Sequence, residues 1–246
     1  MCSSDLRSEP FAVPALLQLG RSDQPATRRA ALQALGRLID ASQAGALVQL
    51  AVDGREPEVL SDIINAFGSL AERFPDGRGL DAAAIARGAS RGDLEIRKAL
   101  LQVCGLFASE PLRGAFRSAL QENDVRIRDA AARAMCGTRD AALLPDLLAV
   151  ARTTSDAGLR SLSIEGIVRL TTDEVSGLST AQQVGMLASV FDLATRVEDK
   201  RQVLSGLGRL PTQAALDLVN KSAADPEVKA EAEAARLQIT RKLKTP

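Results

Sequence analysis

The sequence predicts an all-α protein, an α-α superhelix built of about seven helical hairpins, and three observations support this prediction. Of the 246 residues, 46% are apolar and 25% are charged, as is typical of a chain that folds around a core. Aromatic residues make up only 2%, so the apolar residues are mainly Ala, Leu, Val and Ile, which suit closely packed helices. A pattern of a polar turn followed by apolar residues at helical spacing returns about every 33 residues, which indicates stacked repeats.

The repeat is most complete in the segment Asp93-Leu94-Glu95-Ile96-Arg97, where a polar turn precedes a branched apolar residue and a base. We take the branched apolar residue as the anchor of each repeat. We aligned the other segments on this anchor and, where one is present, on a glycine farther along the segment. The alignment gives seven anchors, spaced 29 to 40 residues apart: Thr27, Val59, Ile96, Ile127, Leu159, Asp199 and Val228. Two repeats depart from the pattern, since Asp199 replaces the apolar anchor and Leu60 replaces the base.

Each anchor is expected to open the second helix of a hairpin. Apolar residues follow it at the spacing of one helix face, as in Ile96, Ala99, Leu100, Val103 and Phe107. The preceding stretches are expected to form the first helices, at 10–19, 42–51, 80–88, 111–120, 141–151, 180–194 and 212–223. Because one hairpin leaves an apolar face that only a neighbouring hairpin can cover, we expect the repeats to stack in order around one core.

The Asp-x-x-Ile-Arg-x-x-Ala pattern resembles the HEAT repeat, particularly the short bacterial variety also found in phycobilisome lyase-type proteins. The resemblance covers residues 9–244, which we expect to form a single HEAT-like α-solenoid domain of the armadillo/HEAT type. It implies a scaffold that binds a protein or peptide through the concave face of its second helices.

Residues 1–8 are expected to be an artefactual or disordered tail. The stretch from Cys2 to Leu6 resembles the translation of a common sequencing adaptor. On this interpretation the chain is an N-terminally truncated fragment, and its natural start lies elsewhere.

The composition argues against several classes of function. His is the commonest general base and metal ligand near neutral pH, and this chain has none, nor any Cys-x-x-Cys pair. We therefore expect no catalytic residue, metal, cofactor or small-molecule substrate. The 31 basic and 31 acidic residues balance, which disfavours nucleic-acid binding, and no apolar run reaches the length of a membrane span. Cys104 and Cys136 are expected to be buried thiols, and unpaired thiols favour the cytoplasm for a soluble protein.

The candidate binding residues lie six residues after each anchor, where six consecutive repeats place a polar side chain away from the core. Two residues after the anchor, further polar side chains flank this row. The predicted partner-binding residues are Arg29, Gln33, Asn65, Lys98, Gln102, Arg133 and Glu165. Amides and mixed charges suit a polypeptide better than a phosphate backbone, although a merely solvated helix face would show the same pattern.

A base follows the anchor in six of the seven repeats, at Arg28, Arg97, Arg128, Arg160, Lys200 and Lys229. We interpret these bases as structural, and we expect them to form a ladder in which each base lies near the Asp of the next repeat.

Two alternative functions were weighed against the sequence, and the first is compatible with it. The chain would be an accessory solenoid of a larger bacterial enzyme if a catalytic domain precedes it. An enzyme of its own, such as a bilin lyase or a HEAT-like DNA glycosylase, is disfavoured because Trp and Tyr are absent and the net charge is zero.

Overall fold

The computed structural model describes residues 12–54, 56–173 and 176–244, and within these ranges it contains fourteen α-helices and no strand. The helices are α1 (Ala12–Leu19), α2 (Pro25–Leu38), α3 (Ala44–Asp53), α4 (Pro57–Arg73), α5 (Ala82–Ser90), α6 (Leu94–Cys104), α7 (Glu110–Leu120), α8 (Val125–Cys136), α9 (Leu144–Thr153), α10 (Ala157–Thr172), α11 (Thr180–Phe191), α12 (Val197–Leu207), α13 (Gln213–Ser222) and α14 (Lys229–Leu243). The tail expected at residues 1–8 lies outside the described residues.

These helices confirm the predicted fold class, all-α and built of consecutive helical hairpins of the armadillo/HEAT type. Wherever both ends are described, the first helices begin and end within three residues of the predicted bounds, counting the 3-10 turns that lead into α3 and α9. Local interactions explain where several of these helices begin. Pro57 occupies the first turn of α4, where no amide donor is needed, and Ser179 forms a capping box with Gln182 at α11.

The chain divides into two compact units, and the first ends at Met135. In it the second helices α2, α4 and α6 pack in series, and the first helices α3, α5 and α7 do the same. The core contains leucine, isoleucine, valine and alanine side chains together with Phe67, Phe107 and Phe116. The rings of Phe67 and Phe107 meet edge to face at 6.5 Å.

The second unit begins at Cys136, and in it the second helices α10, α12 and α14 pack in series. Its core is aliphatic, with fully buried Ile164, Leu187 and Leu204. The Sγ of Cys136 lies 3.5 Å from the Oγ of Ser163. That residues 9–244 form a single domain stays a prediction.

In several repeats, a glycine that lies nine residues after the anchor packs directly against the next second helix. A Cβ atom on Gly36 would lie 2.5 Å from the carbonyl oxygen of Ala66. A Cβ on Gly105 would lie 3.0 Å from that of Ala134. In both pairs the glycine meets the residue seven places after the next anchor, so backbone packs directly on backbone.

Candidate partner-binding face

The structure exposes the whole polar row on the second helices. Gln33, Asn65, Gln102, Arg133, Glu165 and Ser205 are all exposed, on α2, α4, α6, α8, α10 and α12 respectively. The expected orientation of the row is therefore correct, and its role in binding stays a prediction. We call the side of the second helices that carries this row the row face.

In the first unit, a cleft of about 350 Å³ opens on the row face between α6 and α8. Its lining residues are Lys98, Gln102, Asp129, Ala130, Arg133 and Ala134. Three of the predicted binding residues therefore lie together: Lys98, Gln102 and Arg133.

Both basic side chains of this first cleft are engaged in ion pairs. Arg133 pairs with Asp129 at 2.9 Å, and Lys98 pairs with Glu95 at 3.0 Å. The side chain of Gln102 makes no hydrogen bond with the described residues, so its amide is available as both donor and acceptor.

In the second unit, a cleft of about 450 Å³ opens on the row face between α10 and α12. Its lining residues are Glu165, Val168, Arg169, Thr172, Asp173, Gln202, Ser205, Gly206 and Arg209. The helices are close beneath it, since a Cβ atom on Gly206 would lie 3.1 Å from Cγ1 of Val168.

The sequence analysis missed part of the second cleft. Gln202, Thr172 and Arg209 line it without belonging to the polar row. Gln202 lies three residues after the anchor Asp199, at a position that is apolar in several other repeats. This polar residue at a usually apolar position was the signal that could have identified it.

Arg169 has a partly structural role in the second cleft. Its guanidinium donates to the carbonyl oxygens of Cys136 at 3.1 Å and of Thr138 at 2.7 Å, at the end of the preceding second helix. A base at a helix C-terminus meets both unpaired carbonyls and the negative end of the helix dipole.

The remaining predicted residues, Arg29, Gln33 and Asn65, lie outside both clefts. The Nε of Arg29 lies 3.1 Å from Oδ1 of Asp62, a carboxylate that is only 9% exposed. Arg29 therefore joins the first repeat to the second, which gives it a structural function beside any contact with a partner.

The position two residues after the anchor joins neighbouring repeats elsewhere too. Ser161 donates to Oδ2 of Asp199 at 2.8 Å, and Arg201 pairs with Glu231 at 3.0 Å. The first bond explains the acid at an anchor position, because the buried carboxylate of Asp199 accepts a hydrogen bond from the preceding repeat.

The predicted ladder of bases needs correction. Arg28 donates to the carbonyl of Ser22 at 3.3 Å, and Arg160 donates to those of Ala151 at 3.2 Å and Thr154 at 2.6 Å. These carbonyls end the first helix or form the turn of the same repeat. Arg128 likewise donates to the carbonyls of Glu122 at 2.6 Å and Asn123 at 2.9 Å, in the turn of its own repeat. The prediction is wrong for these three bases, because the unpaired carbonyls of their own hairpin are closer than any acid of the next repeat among the described residues.

The ladder is correct for one base. Lys200 pairs with Asp225 of the next repeat at 2.9 Å, and its hydrogen bond lowers the pKa of that carboxyl. Arg97 reaches the next repeat too, but it forms its ion pair with Glu122 instead of Asp124.

A third cavity, of about 310 Å³, lies between the turns of the first two repeats. Arg21 and Asp53 form an ion pair at 2.9 Å within it, and hydrogen bonds from Gln49 and Arg21 lower the pKa of Asp53. These side chains are engaged with one another, so the cavity offers less free polar chemistry than the two clefts.

Cys104 is a buried thiol, as predicted, and burial raises its pKa to about 12. Cys136 is also buried. Among the described residues no group of three or more Cys, Asp or Glu side chains is arranged to hold a metal ion. None of the helices in the described ranges is both long and apolar enough to cross a membrane.

Comparison with known proteins identifies a HEAT repeat at the first described hairpin and a similar fold in one solved structure. The family model for the HEAT repeat matches residues 12–42, which contain the hairpin of α1 and α2. The chain is similar to the crystal structure of Cex1p, with a TM-score of 0.51 and 15% identity, over 98% of this chain and 55% of that one. It thus spans about half the length of Cex1p, and at this identity the likeness shows the fold alone.

A second solved structure, of an engineered protein, matches with a TM-score of 0.40 and 16% identity, over 93% of this chain and 96% of that chain. No curated protein matches the chain.

Proposed function

We propose that this chain is a non-catalytic scaffold that binds another protein or a peptide through the row face. One observation carries the proposal: two clefts, of about 350 and 450 Å³, open on this face between consecutive second helices. Each contains members of the polar row. Repeats of the HEAT kind commonly mediate protein interactions, which agrees with this use of the face.

The chemistry of the clefts favours a polypeptide partner. Gln102 in the first cleft and Gln202, Thr172 and Ser205 in the second offer amides and hydroxyls that can bond backbone N–H and C=O groups. A nucleic acid would need uncompensated cations, whereas Arg133 is already paired with Asp129.

The test is to select peptides on the immobilised full chain and to measure their affinity for a row-face variant carrying Gln102→Ala and Arg133→Glu. We expect the affinity of the selected peptides to fall at least about tenfold, because the variant removes an amide and reverses a charge within one cleft. The matched control carries Arg87→Glu and Gln121→Ala, at an exposed residue of α5 and at the exposed residue that follows α7. An equal loss in the two variants would contradict the proposal.

A further inference from the structure

The second cleft contains a basic side chain that has no partner among the described residues. Arg209 lines this cleft, is exposed and lies ten residues after the anchor Asp199. Its guanidinium makes no hydrogen bond or ion pair within the described ranges. In the first cleft, by contrast, Lys98 and Arg133 are both paired with acids. Arg209 is therefore available to a binding partner in a way that the bases of the first cleft are not.

A comparison with Arg169 explains why Arg209 is left unpaired. Arg169 occupies the same repeat position and donates to carbonyls at the end of α8. Helix α8 ends nine residues after its anchor, whereas α10 continues to Thr172, thirteen residues after its own. The carbonyl of Val168, which corresponds to that of Cys136, accepts the Thr172 hydroxyl at 2.9 Å within α10. Arg209 therefore meets the side of a longer helix, where the carbonyls are already bonded, instead of a helix end.

Two contacts fix the register of the helices that form the second cleft. Ser161 of α10 donates to Oδ2 of Asp199 of α12 at 2.8 Å. Seven residues farther along each helix, Val168 lies opposite Gly206, where a Cβ atom would come within 3.1 Å of Cγ1 of the valine. Because the offset is the same at both contacts, α10 and α12 run parallel and in step.

This register places the charges of the cleft at opposite ends. Glu165, whose carboxylate has no partner among the described residues, lies level with Val203 of α12. Arg209 follows six residues later, which is about 9 Å farther along the cleft. Lys242 adds positive charge at that end, since its Nζ lies 3.4 Å from the carbonyl oxygen of Arg209. Asp173 also lines the cleft, but it is already engaged with another group. One cleft therefore presents a free acid and a free base at its two ends.

These two charges select the chemistry of a binding partner. A guanidinium offers a planar fork of N–H donors that matches a carboxylate, and the carboxylate of Glu165 favours an ammonium or a guanidinium. An extended chain rises about 3.3 Å per residue, so a distance of about 9 Å separates side chains two or three residues apart. A phosphate backbone would bring repeated negative charge against Glu165, which disfavours a nucleic acid.

We propose that the second cleft binds a polypeptide segment with two opposite charges. An acidic side chain of the segment pairs with Arg209, and a basic side chain two or three residues away pairs with Glu165. This inference rests on the proposed scaffold function and adds the charge pattern of the partner.

The test is to select random peptides on the immobilised full chain carrying Gln102→Ala and Arg133→Glu, which removes the polar groups of the first cleft. Both ends of the peptides are blocked, so that every carboxylate comes from a side chain. We expect the enriched peptides to share an Asp or Glu and a Lys or Arg at a spacing of two or three residues.

A charge reversal then tests the contact itself. Arg209→Glu should weaken the selected peptides at least about tenfold, because it places like charges opposite one another. The same variant should prefer, by about tenfold, a peptide whose acid is exchanged for lysine. Glu165→Lys should do the same at the basic position of the peptide. The matched control is Arg37→Glu, at the same repeat position in α2, exposed and outside both clefts, and it should leave the affinity unchanged.

The outcomes separate this inference from the scaffold function. Enriched peptides without the charge pattern, peptides found only on the wild-type chain, or equal losses in Arg209→Glu and Arg37→Glu would overturn the inference alone. A single-stranded oligonucleotide whose binding Arg209→Glu abolishes would also overturn it. A failure to enrich any peptide on either chain would contradict both proposals.

Discussion

Two junctions of the first unit carry the same glycine but pack differently. Gly36 in α2 and Gly68 in α4 both lie nine residues after their anchors. A Cβ on Gly36 would come within 2.5 Å of the next helix, whereas a Cβ on Gly68 would have no described atom within 4 Å. The two junctions differ in the residue that the next helix places at the facing position. Ala66 faces Gly36, whereas the bulkier Val103 occupies the same repeat position as Ala66 at the second junction.

The second junction is filled by an aromatic pair instead of a backbone contact. Phe67 and Phe107 meet there edge to face, with their ring planes at 80°. The loop between α4 and α5 is also longer and contains Gly77 and Gly79, both with positive φ. A glycine at one repeat position therefore does not set the distance between helices. The side chains opposite it and the loop between hairpins do.

The largest effect is expected at the aromatic pair. Phe67→Ala should lower the free energy of unfolding by about 3–5 kcal/mol, because Phe67 is fully buried and its loss leaves a cavity between α4 and α6. Urea unfolding followed by circular dichroism measures this. Phe191→Ala, at a partly exposed phenylalanine, is the control, and an equal loss in both would mean that the pair does not hold the junction.

Gly36→Ala should destabilise the protein by about 1–3 kcal/mol, because the added methyl group meets backbone atoms of Ala66 that cannot rotate away. Alanine is otherwise the better helix former, so an unfolding midpoint at or above that of wild type would show that the two helices separate freely.

A smaller loss is expected for Arg73→Ala. Arg73 donates to the carbonyl of Ile39 at 2.8 Å, at the end of α2, and removing that bond should cost about 0.5–1.5 kcal/mol. Arg37→Ala, at an exposed arginine of α2, serves as the comparison and should leave the urea midpoint unchanged.

Gly68→Ala should have the smallest effect and the opposite sign to Gly36→Ala. The new methyl group meets open space, so the better helix propensity of alanine should stabilise the protein by about 0.5–1 kcal/mol. The same denaturation experiment measures this shift. A loss comparable to that of Gly36→Ala would remove the difference between the two junctions.

The hairpins and the polar row could be predicted from the sequence because they depend on local periodicity. Ile96 and the apolar residues after it define one face of α6, and Gln102 then has to lie on another. The targets of the bases could not be predicted in the same way. Arg160 and Lys200 occupy the same repeat position, yet one binds carbonyls of its own hairpin and the other an acid of the next.

The sequence by itself determined that the chain forms helical hairpins, and which side of each helix is apolar, since neighbouring residues along the chain settle both. Only the tertiary structure decided how closely second helices approach and which polar side chains stay available. Arg29 is engaged by Asp62, whereas Gln102 is left at the edge of a cleft. The reason is that stacking distance depends on pairs of side chains from different repeats, and neither member of a pair reveals the other.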